Sequence, residues 1–109
     1  MTEEHAIQNS IRIALSPYAV IFRANVGSAY TADGRYFSTG LPKGFPDLFG
    51  FRKSDGRAVF IEVKTASGRV RPEQKRFIET ARSFGAIAGV CRSADDALAL
   101  IGGEDDGLK

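Results

Sequence analysis

The run Ala58-Val59-Phe60-Ile61-Glu62-Val63-Lys64 alternates in the way a half-buried β-strand requires. Val59, Ile61 and Val63 fall on one face, and Glu62 and Lys64 on the other. A strand this apolar carries two charges on one face only where something there needs them. Fifteen residues ahead of Glu62 stands Asp47, in Gly44-Phe45-Pro46-Asp47, at what reads as the start of the neighbouring strand. Two adjacent carboxylates repel, and one takes up a proton unless a cation lies between them. A divalent ion resolves that conflict: hard oxygen ligands suit Mg²⁺, which keeps several waters for chemistry. Lys64 adds a point charge beside it. Together these groups equip a chain for attack of water on a phosphodiester.

Pro46-Asp47, a gap of fourteen residues, and Glu62-Val63-Lys64 resemble the PD-(D/E)XK nuclease motif. Gly44-Phe45-Pro46-Asp47-Leu48 around the first carboxylate, Glu4-His5-Ala6-Ile7-Gln8 near the start, and Gly68 and Gln74 after the lysine narrow the resemblance. In that order they resemble the virus-type replication–repair nuclease (VRR-NUC) family, over residues 3–80. The resemblance implies a metal-dependent endodeoxyribonuclease using Mg²⁺ or Mn²⁺. It implies Asp47 and Glu62 as metal ligands, with the Val63 backbone carbonyl and with Glu4, direct or through water. Lys64 would orient the attacking water or offset charge on the phosphate. Gln74 would hold Lys64, water or phosphate. Acids in a helix's first turn are usually there for the dipole, and Glu3 lies close to the same stripe. The choice of Glu4 over Glu3 therefore rests on the family-like spacing to Ile7 and Gln8.

With 109 residues there is room for one small domain. No 18-residue apolar run offers a membrane span, and Thr2-Glu3-Glu4 does not open a secretory signal. The single Cys91 excludes an internal disulfide and a cysteine zinc cluster. It reads as an inert core thiol in a reducing cytoplasm, the host's if the chain is phage-encoded. A net charge of +2 hides an asymmetry. Residues 12–92 hold fourteen Lys/Arg against six Asp/Glu, and the remainder after Arg92 is acidic. A basic body suits a polyanion. Lys43, Arg69, Arg71, Lys75 and Arg76 are candidates for contacts to the DNA backbone. No dinucleotide fingerprint is present, and no organic cofactor is expected: Gly27, Gly34 and Gly40 are too far apart.

Along the chain, Thr2 caps a helix with an apolar stripe of Ile7, Ile11, Ala14 and Leu15, ended by Ser16-Pro17. His5 reads as a surface residue of that helix. Residues 19–25 form a first strand. Residues 27–45 form a long loop whose Arg35, Tyr30, Tyr36 and Phe37 face either DNA or a second subunit. Residues 47–52 and 57–64 form a hairpin turned by Ser54-Asp55-Gly56. Pro72 opens a helix to Ser83 that carries Gln74 on its inward stripe. Residues 86–91 make a fourth strand, and Ser93 caps a last helix ending at Ile101. The order α-β-β-β-α-β-α predicts an α/β domain over 1–102, a mixed central sheet flanked by helices in the restriction-endonuclease-like manner. Residues 103–109 would be a flexible acidic tail.

The resemblance points to a structure-selective endonuclease, of the homodimeric Holliday junction resolvase kind. Two symmetric cuts across a four-way junction need two active sites, and one chain supplies one. A nuclease for flaps, single strands or duplex in repair or restriction is the alternative. A non-catalytic nucleic-acid-binding module on the same fold is another.

Overall fold

The Thr2 cap forms as its sequence predicts: the hydroxyl accepts the His5 N–H at 3.1 Å, opening helix α1 (Glu3–Leu15). The structure, a computed structural model, describes residues 2–25 and 28–107. Gly27 and the end of the expected tail lie outside the described residues. After α1 come β1 (Ala19–Arg23), a hairpin of β2 (Ser28–Tyr30) and β3 (Tyr36–Ser38), then β4 (Leu48–Arg52) and β5 (Ala58–Val63). Helix α2 (Pro72–Ser83), β6 (Ile87–Cys91) and α3 (Ala94–Gly107) complete the chain.

Four strands pair in the order β1-β4-β5-β6. β1, β4 and β5 are antiparallel neighbours, whereas β6 runs parallel to β5, so α2 is the crossover between them. The mixed α/β sheet flanked by helices is the predicted fold class. Val59, Ile61 and Val63 are fully buried with Ile11 and Leu15 of α1 and Ala97 and Ile101 of α3. Cys91 belongs to this core, and burial, helped by Asp96, pushes its thiol up to about 12. The alternation read from 58–64 therefore holds, and the opposite face carries Phe60 and Glu62. There Phe45, Phe60 and Phe77 of α2 meet edge-on at 5.2–6.0 Å between ring centroids. This half-buried aromatic cluster lies on the same face of the sheet as Glu62, and Phe45 reaches the cleft.

Two expectations are corrected. The stretch read as one long loop contains the β2–β3 hairpin, registered Tyr30 opposite Tyr36 and turned at Gly34 with φ +88°. The last helix continues past Ile101 to Gly107. A glycine ends a helix by adopting a left-handed conformation, and Gly102 does not adopt one. Arg52 anchors this helix: fully buried, it donates from Nη1 to the Ile101 carbonyl at 2.7 Å. Its Nε and Nη2 grip Asp55 at 3.1 and 2.6 Å, which holds the Asp55 carboxyl down at about 2. Among the described residues no helix is long and apolar enough to cross a membrane.

Gly50 lies in the middle of β4, paired to Ile21 on one side and Val59 on the other. A Cβ there would stand 1.8 Å from the Val20 carbonyl oxygen, a backbone atom that cannot step aside. Gly50→Ala is expected to cost about 3 kcal/mol or more of stability, read as a lowered urea midpoint at unchanged m-value.

Candidate active site

β4 and β5 pair Leu48 with Ile61, so one step back along β4 sets Asp47 across from Glu62. Pro46, fully buried, leads the chain rigidly into this position. Gly44, at φ +97°, lets the segment lie on the first turn of α2: a Cβ would sit 2.7 Å from the Glu73 carbonyl oxygen. Asp47 is then tied to the next strand, its Oδ2 accepting the Val63 N–H at 2.9 Å.

Glu62 is only 3 % exposed. Its Oε2 accepts from Gln74 Nε2 at 3.1 Å and lies 3.5 Å from Lys64 Nζ. Gln74 is itself fixed, because its Oε1 accepts the Arg71 N–H at 2.9 Å, as expected of a glutamine at the third helical position. The structure thus brings together Asp47, Glu62, Lys64 and Gln74. Gln74 holds Glu62 in this arrangement, where the sequence suggested Lys64, water or phosphate.

Burial pushes the Glu62 carboxyl up to about 8, and the nearby Asp47 adds to this, with Lys64 offsetting only part. An acid so placed holds a proton in place of a cation. Two facing carboxylates of this kind are a donor set of hard oxygens that fits Mg²⁺ or Mn²⁺. Among the described residues, no three acidic, histidine or cysteine groups cluster at metal-binding distance. Glu4, half-buried, therefore does not complete a three-carboxylate set. A turn further on, Gln8 is buried with its Oε1 lacking any hydrogen-bond partner.

Asp47, Glu62 and Gln74 open into a cleft of about 740 Å³. Lys43 and Arg71, expected to meet DNA, lie on its walls, whereas Arg69, Lys75 and Arg76 are exposed elsewhere. Sequence reasoning missed Arg23 and Asn25 at the end of β1, and it dismissed His5, which also lines the cleft. Only tertiary structure joins these to Asp47. A sequence signal was present for Tyr36, which with Ser38 lines the cleft from β3, in the Asp33-Gly34 turn ahead of it. Behind Lys64, Arg92 Nη1 donates to the carbonyls of Thr65 at 2.5 Å and Gly68 at 2.8 Å, pinning the loop that leads to α2. A separate cavity of about 590 Å³, lined by Tyr18, Arg52, Leu98 and Ile101 among others, holds none of the site carboxylates.

A family model of the VRR-NUC domain matches residues 22–95. The chain belongs to the VRR-NUC family. The matched span contains Asp47, Glu62, Lys64 and Gln74, while Glu4 and Gln8 precede it. A solved structure described as a VRR_NUC domain is similar at a TM-score of 0.65 and 25 % identity, covering 94 % of this chain and 97 % of its own. A second, a VRR_NUC domain protein, has a TM-score of 0.58 at 18 % identity, covering 94 % and 88 %, and shows the fold alone. No curated protein matches the chain. A VRR-NUC domain implies a nuclease-type function, with DNA as the substrate.

Proposed function

We propose that this VRR-NUC chain is a metal-dependent, structure-selective DNA endonuclease acting as a homodimer, of the Holliday junction resolvase kind. The observation that supports it most is the buried Glu62 facing Asp47. A glutamate held neutral by burial, with a lysine and a glutamine aimed at it, is poor packing and useful chemistry. Asp47 and Glu62 would hold Mg²⁺ or Mn²⁺ with the Val63 carbonyl, and Glu4 would act only through water. A divalent ion bound there acidifies a water and draws charge from the phosphate. Gln74 keeps Glu62 in its rotamer. Lys64 offsets charge building on the phosphate oxygens or orients the attacking water. Lys43 and Arg71 position the backbone, reading no sequence, and Arg69, Lys75 and Arg76 extend that contact outside the cleft.

The dimer follows from the substrate. A four-way junction is resolved by two symmetric cuts, and two-fold dimers are the commonest oligomers. The buried, unpaired Cys91 suits a reducing cytoplasm, the host's for a phage protein. The test is cleavage of labelled four-way junction, flap, duplex and single-stranded DNA with Mg²⁺ or Mn²⁺, beside light scattering for mass. Paired symmetric nicks by a dimer support the reading. Cutting of flaps or linear DNA alone keeps the nuclease and discards the resolvase. Retained binding with no cutting in either metal leaves a binding module.

A further inference from the structure

The β2–β3 hairpin gathers three exposed aromatic side chains within two short strands. Its large side chains point outward: Tyr30 is 73 % exposed, Tyr36 62 % and Phe37 48 %. The arm is nevertheless well formed. Thr31 N–H donates to the Arg35 carbonyl at 2.6 Å, Gly34 N–H to the Thr31 carbonyl at 2.9 Å, and Arg35 pairs with Asp33 at 3.1 Å. The Tyr36 ring is steadied by Tyr30 across the strands, edge to face at 5.6 Å between centroids. Exposing so much aromatic surface forgoes burial energy, and a hairpin needs no aromatic side chains to form its turn.

Position supplies the reason. Tyr36 lies on the wall of the cleft that holds Asp47 and Glu62. Arg23, Lys43 and Arg71 stand on the same walls. Cations meet the phosphate of a nucleotide, and an exposed aromatic ring meets the face of its base. In a continuous duplex the base faces are covered by their neighbours. Only a base freed from the stack, at a branch, fork or single-stranded arm, can lie on the ring.

We propose that Tyr36 is a specificity-determining residue: it stacks on an unpaired base beside the phosphate to be cut and so biases the site toward branched DNA. This deepens the nuclease reading and rests on it for the position of the cut phosphate. Stacking on an aromatic side chain contributes about 1–3 kcal/mol per base, about 5- to 150-fold in affinity.

The experiment uses the full chain with a forked DNA carrying 2-aminopurine at the first unpaired nucleotide, and a fully paired duplex of the same length. Binding is measured in Ca²⁺, then cleavage in Mg²⁺, for the wild type, Tyr36→Phe, Tyr36→Leu and Tyr36→Ala, after circular dichroism matches their folds. The wild type and Tyr36→Phe should alter the 2-aminopurine emission on binding. Tyr36→Leu and Tyr36→Ala should not, and should raise KM for the fork about 5-fold or more, with kcat and duplex affinity within about two-fold. Equal loss on fork and duplex, or unchanged emission and KM in Tyr36→Ala, overturns the proposal. The emission is read without cleavage, so a chain that stacks the base but never cuts would refute the nuclease reading and leave the stacking contact standing.

Discussion

Asp47→Ala will cut DNA about a thousand-fold more slowly than the wild type, and Lys64→Ala will lose a comparable factor. The two losses have different causes. On the proposed reading Asp47 is one of two carboxylates that would hold the cation, so its removal should take away metal affinity and the acidified water with it. Lys64 meets Glu62 Oε2 at 3.5 Å and, on the proposed reading, would supply positive charge at the phosphate, so its removal should leave metal binding and take away transition-state stabilisation. Thermal unfolding separates them. Mn²⁺ at about a hundred times its Kd stabilises a binding-competent fold by about 2.7 kcal/mol, which should appear in the wild type and in Lys64→Ala and vanish in Asp47→Ala. Asp47→Asn is the companion variant, because its amide oxygen can still accept the Val63 N–H that Asp47 accepts at 2.9 Å. It should fold as the wild type does and remain inactive. Wild-type rates in both Asp47→Asn and Lys64→Ala would remove these residues from the site.

The strand at 58–64 was legible because its alternation is a local property: each side chain's face follows from its place in the sequence. The same logic places Glu62 off the apolar face, and Pro46 with the Asp55-Gly56 turn sets Asp47 across from it. The β2–β3 hairpin was harder to see. Its strands have three residues each, and Ala29, Tyr30 and residues 36–38 are exposed, so no buried apolar face marks them, and only Asp33-Gly34 betrays the turn. The reach of α3 was hidden because a glycine pair reads as a stop, whereas Gly102 keeps a helical conformation just after the Ile101 carbonyl that Arg52 holds. The cleft walls were legible only in part: Lys43 and Arg71 were expected to meet DNA and Tyr36 to meet DNA or a second subunit, whereas His5 and Arg23 were not expected there. His5, Arg23 and Tyr36 come from the ends of three elements, and nothing local says that those ends meet. The hydrogen bond from Gln74 to Glu62 is of that kind too, a helix start meeting a strand end across the crossover.

Glu62→Gln will make the metal-free protein more stable at pH 8 while abolishing its activity. Glu62 has a folded carboxyl raised to about 8 from 4.5, chiefly by burial and next by Asp47. Between those values the folded chain keeps a proton that the unfolded chain has released, so stability falls as pH rises. The loss begins above pH 4.5 and levels off once the folded group ionises near 8. Its slope cannot exceed one proton, about 1.4 kcal/mol per pH unit. Glutamine keeps the shape and an oxygen for Gln74 Nε2 but never ionises, so it escapes the penalty. In chelator the variant and the wild type should melt close together near pH 4.5. By pH 8 the variant should melt higher, on the order of 10 °C for a domain of this size. Saturating Mn²⁺ should close the gap from the wild-type side only, because the ion replaces the proton between Asp47 and Glu62 and has no second carboxylate to bind in the variant. On the proposed reading, the wild-type site would be held at a cost in stability that a bound cation relieves. A variant no more stable than the wild type at pH 8 in chelator would show that Glu62 is already ionised in the apo fold. The Asp47–Glu62 pair would then need a cation other than the absent metal to hold it, with Lys64 the nearest available.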